Sequence, residues 1–210
     1  MFAERVLGLA AGPEAEIVST IKRSEGGELR VDVPGAAAPL IGSEHHYDRL
    51  IVDWEKGSDQ ALATATLDFV GTLGKIQVSS LGLEKVPFVR RDGDWRPSHG
   101  PAPRLAAIVT ALEARRRALE SGDVAELRRL SRLTPGRPLE DADLVRLLSL
   151  ARRSYRVESW WIRSERDEVI VTEESRLSGE TPDRPVDERR TRRLLLREDG
   201  GEFLFAAGLM

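Results

Sequence analysis

The sequence contains no cysteine. Disulfides, thiolate nucleophiles and zinc sites built on cysteine are excluded by that absence. Histidine occurs three times. His45 and Asp48 supply two metal ligands at most, with only the lone His99 beyond them, so no metal site is expected. No charge of one sign dominates. The formal net charge is −3 and the pI is about 5.8, which leaves no overall basic surface for nucleic acid. The first hundred residues hold 11 basic and 15 acidic side chains, and the remainder 21 and 20 (32 and 35 in all). That imbalance is too mild to name a partner. No stretch approaches the ~20 apolar residues of a membrane span. The opening "MFAERVLGLAAGPEAE" has a short apolar run preceded by Glu4, unlike a secretory signal. The expectation is a cytoplasmic protein with no membrane partner. No Gly-rich phosphate loop, Walker, Rossmann or Gly-x-Ser-x-Gly signature is present, so no cofactor is expected.

What is present is a pattern that recurs. Trp54 and Trp161 are 107 positions apart, and so are Asp92-Gly93 and Asp199-Gly200. "VDWEKGSDQALATATLDFV" aligns without a gap on "SWWIRSERDEVIVTEESRL", and "FVRRDGDW" on "LLREDGGE". A repeat this long points to two similar domains, since solenoid units run about 20–50 residues. The expected division is 1–100, shortened, and 101–210, more complete, with "RPSHGPAPR" as linker.

In the second half, Leu105, Ile108, Val109, Leu112 and Leu119 recur at helical spacing, and Gly122 ends that helix. Asp123 with Glu126 opens a second helix as a capping box. Pro135, Gly136 and Pro138 break it. Leu144, Leu147, Leu148 and Ala151 mark a third. Four strand-like runs follow: "YRVESWWI", "EVIVTEESRL", "VDERRTRRLLLR" and "EFLFAAGLM". The Asp-Gly-Gly turn before the last is a hairpin signal. In the first half "GPEAEIVSTIKR" reads as a helix. The strand-like runs there are "YDRLIVDW", "ALATATLDFV", "KIQVSSL", "LEKVPFVR" and "DWRPS". Leu112, Leu127, Leu148, Val169, Val171, Leu194, Leu196 and Phe205 are the expected core. The C-terminal run, with Phe203, Phe205, Ala207 and Leu209 on one face, is expected to be an inner strand.

Helices followed by an antiparallel meander that ends in an Asp-Gly hairpin and a terminal strand resemble the nuclear transport factor 2-like superfamily, the ketosteroid-isomerase-like cone fold. The residues that carry the likeness are "ALEARRRALESGDVAELRRLSR", "VIVTEESRL" and "LLREDGGEF". In the first half they are "ALATATLDFV" and "VRRDGDWRP". The resemblance implies an α+β protein of two tandem cone-like domains, helices packed on a strongly bent antiparallel sheet, with a pocket at the wide end. Members of that superfamily include isomerases, dehydratases and cyclases, and also binding and dimerisation modules without chemistry, so the fold does not choose a function.

The "EHHYD" cluster, Glu44–Asp48, is the one group suited to acid–base work near neutral pH. His45 or His46 could act there with Asp48 as orienting carboxylate. Against this, the same residues read as a polar strand entry, and adjacent histidines on a strand face opposite sides. Tyr47, Trp54, Tyr155 and Trp161 are candidate ligand contacts, and equally candidate core residues. Strict alternation along "YRVESWWI" puts Trp161 with Trp54 in the core and leaves Trp160 for an interface. Arg190 and Arg192 share one face of their strand. They could hold a carboxylate, or pair with Glu173, Glu174 and Glu188 in a surface ladder. Two functional readings stay open. One is a non-enzymatic ligand-binding or protein-interaction module, taking a small apolar or carboxylate-bearing molecule, a protein partner or a second copy. The other is an isomerase, hydratase or cyclase-type enzyme that uses the Glu44–Asp48 cluster.

Overall fold

A computed structural model describes residues 12–25, 27–132 and 142–206. Helix α1 (Pro13–Ser24) opens the chain and precedes five strands: β1 (Leu29–Val31), β2 (Leu40–Trp54), β3 (Gln60–Leu73), β4 (Ile76–Arg91) and β5 (Asp94–Pro97). Helices α2 (Pro103–Ser121), α3 (Val124–Leu130) and α4 (Ala142–Leu148) follow, with the two-residue β6 (Ser131–Arg132) between α3 and α4. Four strands close the chain: β7 (Ala151–Glu165), β8 (Glu168–Glu180), β9 (Pro185–Asp199) and β10 (Glu202–Ala206). Among the described residues no helix is long and apolar enough to cross a membrane.

Local chemistry explains the helix ends. Pro13 and Pro103 stand in the first turns of α1 and α2, where a missing N–H costs nothing. Glu14 and Glu16 begin α1, and Lys22 and Arg23 end it, matching the helix dipole. Gly122 ends α2 at φ 73°, and Asp123 caps α3 by accepting from the Glu126 amide, both as the sequence implies. The breakers Pro135, Gly136 and Pro138, and the segment Ala207–Met210, lie outside the described residues.

The strands form one curved, unclosed sheet in the order β1-β2-β3-β4-β7-β8-β9-β10-β6, with β5 also paired to β4. The sequence reading divided β4 into "KIQVSSL" and "LEKVPFVR" at Gly82; it is one strand. Gly82 lies at the seam where β4 runs parallel to β7, from Gln77↔Ser159 to Gly82↔Ser164. A Cβ on Gly82 would stand 2.2 Å from the Ser164 carbonyl oxygen. Glycine here permits a close approach of two backbones and does not break a strand. Every other long pairing is antiparallel. A parallel pair needs a long crossover, and α2, α3 and α4 supply it.

The Asp-Gly hairpins recur, shifted by one residue from the aligned pattern. Asp92 and Gly93 have φ of 54° and 90°; their counterparts by conformation are Gly200 and Gly201, at 61° and 88°. Positive φ at both positions is the type I′ turn that matches strand twist. The flanking pairs are Arg91↔Asp94 and Asp199↔Glu202. Trp54 closes the β2–β3 hairpin opposite Ala61, whereas Trp161 lies inside β7 opposite Thr172.

Helices cover one face of the sheet, and the buried apolar side chains of both halves make one cluster. Leu112, Leu127, Val169, Val171, Leu196 and Phe205 belong to it, and Leu194 packs against it. Leu148 does not: it is 43% exposed, while Leu147 is fully buried. On a helix of seven residues the neighbour of an inward side chain is turned about 100° away. β10 lies between β9 and β6, and Phe203 and Phe205 are buried, as expected of an inner strand.

Substituting Gly82→Ala should cost about 2 kcal/mol, because the clash is with backbone in a packed seam. Urea unfolding followed by circular dichroism checks this. A loss within ~0.5 kcal/mol would show that β4 and β7 can separate without cost to the fold.

Candidate functional site

The helix-covered face of the second half carries a polar cluster among apolar side chains. Its geometry follows from the register of three strands. Trp160 stands beside Glu173, and Glu173 beside Arg192. In the next row are Val157, Ser175 and Arg190, and then Tyr155, Leu177 and Glu188. Directly paired residues share a face, so all of these point inward. The register shifts between Val157 and Ser159. A one-residue bulge reverses the alternation beyond it. For that reason Trp160 is fully buried and Trp161 is 48% exposed on the outer face, the reverse of what strict alternation implies.

Glu173 organises the cluster. Its Oε1 accepts from the Tyr155 hydroxyl at 2.6 Å and from Arg115 of α2 at 3.2 Å. Its Oε2 accepts from the Trp160 indole N–H at 2.9 Å. Glu173, Arg115, Tyr155 and Trp160 are all buried. A buried carboxylate is tolerated when a cation and further donors satisfy it, and this one has both. The Arg115 guanidinium also lies 5.7 Å from the centre of the Phe205 ring. Ser175 is fully buried next to Glu173 on the same face, and its hydroxyl finds no partner among the described residues. At the outer end of the cluster, Arg146 of α4 and Arg190 both donate to Glu188, at 2.8 and 2.5 Å. Those two cations, Arg146 first, hold the Glu188 carboxyl below its ordinary range.

The histidine cluster is divided between the two faces of β2. His46 is exposed, 3.1 Å from Asp48 and 3.3 Å from Glu25. His45 faces inward, edge-on to the Tyr47 ring, with neither ring nitrogen hydrogen-bonded. Tyr47 is buried and donates to the Pro101 carbonyl at 2.7 Å. Burial, then the nearby Glu84 and Glu25 carboxylates, raise its pKa well above the phenol range. Trp54 is half-buried, its indole N–H 3.3 Å from the Ser58 carbonyl. Of the residues singled out from sequence, the fold brings together Tyr155, Arg190 and Arg192. It leaves Trp161 on the other face, and His45, Tyr47 and Trp54 in the other half.

A second buried carboxylate, Glu84 of β4, serves the architecture. Its oxygens accept from the amides of Arg104 and Leu105, in the first turn of α2, at 2.7 and 3.0 Å, and from Lys85 at 3.2 Å. It caps the helix from outside, where the dipole favours a negative charge. Burial nevertheless pushes its pKa up to about 7, against the pull of the three amides and Arg104.

Sequence reasoning missed Glu173 and Ser175. Glu173 was available as one more rung of a surface ion-pair ladder. The alternation Val169, Val171, Glu173, Ser175, Leu177 was the signal: two polar residues in an apolar stripe imply buried polar work.

No family model and no curated protein matches this chain. Among solved structures it is similar to a protein described as a putative ketosteroid isomerase from Shewanella frigidimarina, at 20% identity and a TM-score of 0.39, over 47% of this chain and 90% of that one. It is also similar to an NTF2-like protein involved in plasmid conjugation, at 10% identity and a TM-score of 0.36, over 78% and 74%.

Replacing Glu173 with Gln should destabilise the fold by roughly 3 kcal/mol, because it takes the carboxylate from a buried guanidinium. Denaturant titration reads this; an unchanged midpoint would show Arg115 to be satisfied without it.

Glu84 makes a pH-dependent contribution of definite sign. Its folded pKa of about 7 lies above the 4.5 of an exposed glutamate. Its contribution is therefore full below pH 4.5 and is lost as pH rises through 7. The stability difference between wild type and Glu84→Gln should shift against the wild type by about 2–3 kcal/mol across that window. Parallel pH profiles for the two proteins would show that Glu84 keeps an ordinary pKa.

Proposed function

We propose that the chain is a ligand-binding module without catalysis of its own, and that its site is the polar interior of the second half. The observation that carries this reading is the buried, unpartnered Ser175 hydroxyl on a face shared with the inward-pointing Arg190 and Arg192. A hydroxyl donor beside guanidiniums, of which Arg190 is shared with Glu188, matches a carboxylate, whose oxygens accept from several donors at once. The ligand class is therefore a small carboxylate-bearing molecule with an apolar body, which Val157 and Leu177 would contact. The Glu173 oxygens are already engaged by Tyr155, Trp160 and Arg115. That supports a fixed acceptor over a mobile base. We further propose that residues 1–100 and 101–210 are two related cone-like units joined along the β4–β7 seam. The recurring hairpins and the shared order of helix before meander support this.

One observation favours the isomerase-type alternative: His45 is on the inner face of the first half with both ring nitrogens unpaired. Its neighbour Asp48, however, is on the opposite face with His46.

Thermal-shift titration with benzoate and longer aryl carboxylates tests the binding reading. A ligand that binds only the native state raises Tm with concentration. Wild type should respond, Ser175→Ala should respond less, and Arg192→Gln not at all. If no carboxylate raises Tm, or if Arg192→Gln responds like wild type, the reading fails. Conversion of an unconjugated enone that disappears in His45→Ala would put the enzyme in its place.

A further inference from the structure

The sheet face that the helices leave uncovered holds an open groove of about 430 Å³ across the β4–β7 seam. The strand register sets its walls. Trp161, Thr172 and Arg193 stand in one row across the face, and Asp68, Leu81, Arg163 and Ile170 in the next. Leu81, Trp161 and Ile170 are 47%, 48% and 39% exposed, so the middle of the groove is apolar. Arg163 of β7 and Arg193 of β9 flank Ile170 and Thr172 of β8. Three other arginines of this face are already engaged: Arg176, Arg189 and Arg197 pair with Asp187, Glu158 and Glu168. Glu174, two residues along β8 from Thr172, accepts from the Ser159 hydroxyl at 3.1 Å. Among the described residues, Arg163 and Arg193 make no hydrogen bond or ion pair, and Asp68 is the one carboxylate that borders the groove.

We propose that this groove binds a planar aromatic amine that carries a phosphate, the chemistry of a purine mononucleotide. A phosphate bears about two negative charges at neutral pH, and its oxygens accept from guanidinium forks on more than one side. Over Ile170 and Thr172 it would lie between Arg163 and Arg193, with the Thr172 hydroxyl beneath it. A carboxylate would answer one guanidinium and leave the second unmatched. Trp161 is directly opposite Thr172 on the seam side, and a flat ring that stacks on its exposed indole removes both from water. Asp68 is two strands from Arg163 across Leu81, about 10 Å at ~4.8 Å per strand. It is an acceptor for an amino group at the far end of the ring. The groove thus runs from acceptor through apolar strip to cationic donors, the reverse image of such a ligand. Its volume falls among small-ligand sites, which span about 300–1,000 Å³. The groove is on the opposite face from Ser175 and Arg192, so this inference does not rest on the carboxylate site.

Isothermal titration calorimetry with adenosine monophosphate tests it. Wild type should bind at a single site. Arg163→Gln and Arg193→Gln should each weaken binding roughly tenfold, through loss of a charge-assisted hydrogen bond. Trp161→Ala should cost about as much, through loss of stacking. Adenosine alone and inorganic phosphate alone should each bind more weakly than the nucleotide. Arg176→Gln removes a charge from the same face, but one held by Asp187, and should bind as wild type does. All four positions are exposed, and circular dichroism confirms that each variant is folded. No binding by wild type would overturn the proposal, as would groove variants that bind like wild type. Inorganic phosphate binding as tightly as the nucleotide would reveal an adventitious ion only. Arg176→Gln weakening binding as much as Arg193→Gln would reveal a general attraction to a charged surface, and either result overturns the site.

Discussion

The rest of this structure depends on six residues of β4 running parallel to β7. Without that pairing the two meanders would be separate sheets with four unpaired edges. With it they are one sheet with one core. Parallel pairing cannot be closed by a tight turn, and it needs a crossover long enough to return the chain to the same end of the sheet. The helical segment between the halves is therefore a geometric requirement of the seam as well as a cover for the sheet. Gly82 and Ser164 mark where the two backbones come closest.

The crossover is tied to the sheet by charges, which explains the polar character of a helix that is buried almost all round. Glu84 extends from β4, two residues past the seam, to the amides that open α2. Arg104, the residue it caps, reaches Glu198 of β9 and the carbonyl of Arg166, and lies 5.1 Å from the centre of the Phe203 ring. Three turns on, Arg115 reaches Glu173. Each arginine thus lies over a phenylalanine of β10 and ends on a carboxylate of the meander. Such pairs add little net stability over apolar packing, but breaking one leaves a charge stranded. They fix the height and rotation of α2 on the sheet, which a smooth apolar contact would leave less defined.

The two faces of the sheet carry different chemistry. Inside the second half, polar groups are few and mostly matched, and the buried Ser175 hydroxyl has no partner among the described residues. Outside, Leu81, Trp161 and Ile170 stand exposed among charged side chains, several of them ion-paired. β2 sends His45 inward and His46 with Asp48 outward.

Much of this was legible in the chain itself. The helix caps at Asp123 and Gly122, the two glycine turns and the long meanders follow from local rules, because capping and positive φ are decided within a few residues. The order helices-then-strands and the buried stripe Val169, Val171, Leu196 follow from periodicity. Three things could not be read locally. Gly82 has the same letter whether it ends a strand or lets a second strand approach, and only the neighbour across the seam decides. The inward choice of Trp160 over Trp161 depends on one extra residue in β7, and a bulge leaves no signature in composition. Glu173 looks like any carboxylate facing arginines until α2 delivers Arg115 and the register delivers Tyr155 and Trp160. The sequence by itself determined the elements and their turns, which are short-range matters of backbone and capping. Tertiary structure decided which face each side chain took and which charges met, because those depend on register and on residues far apart in the chain.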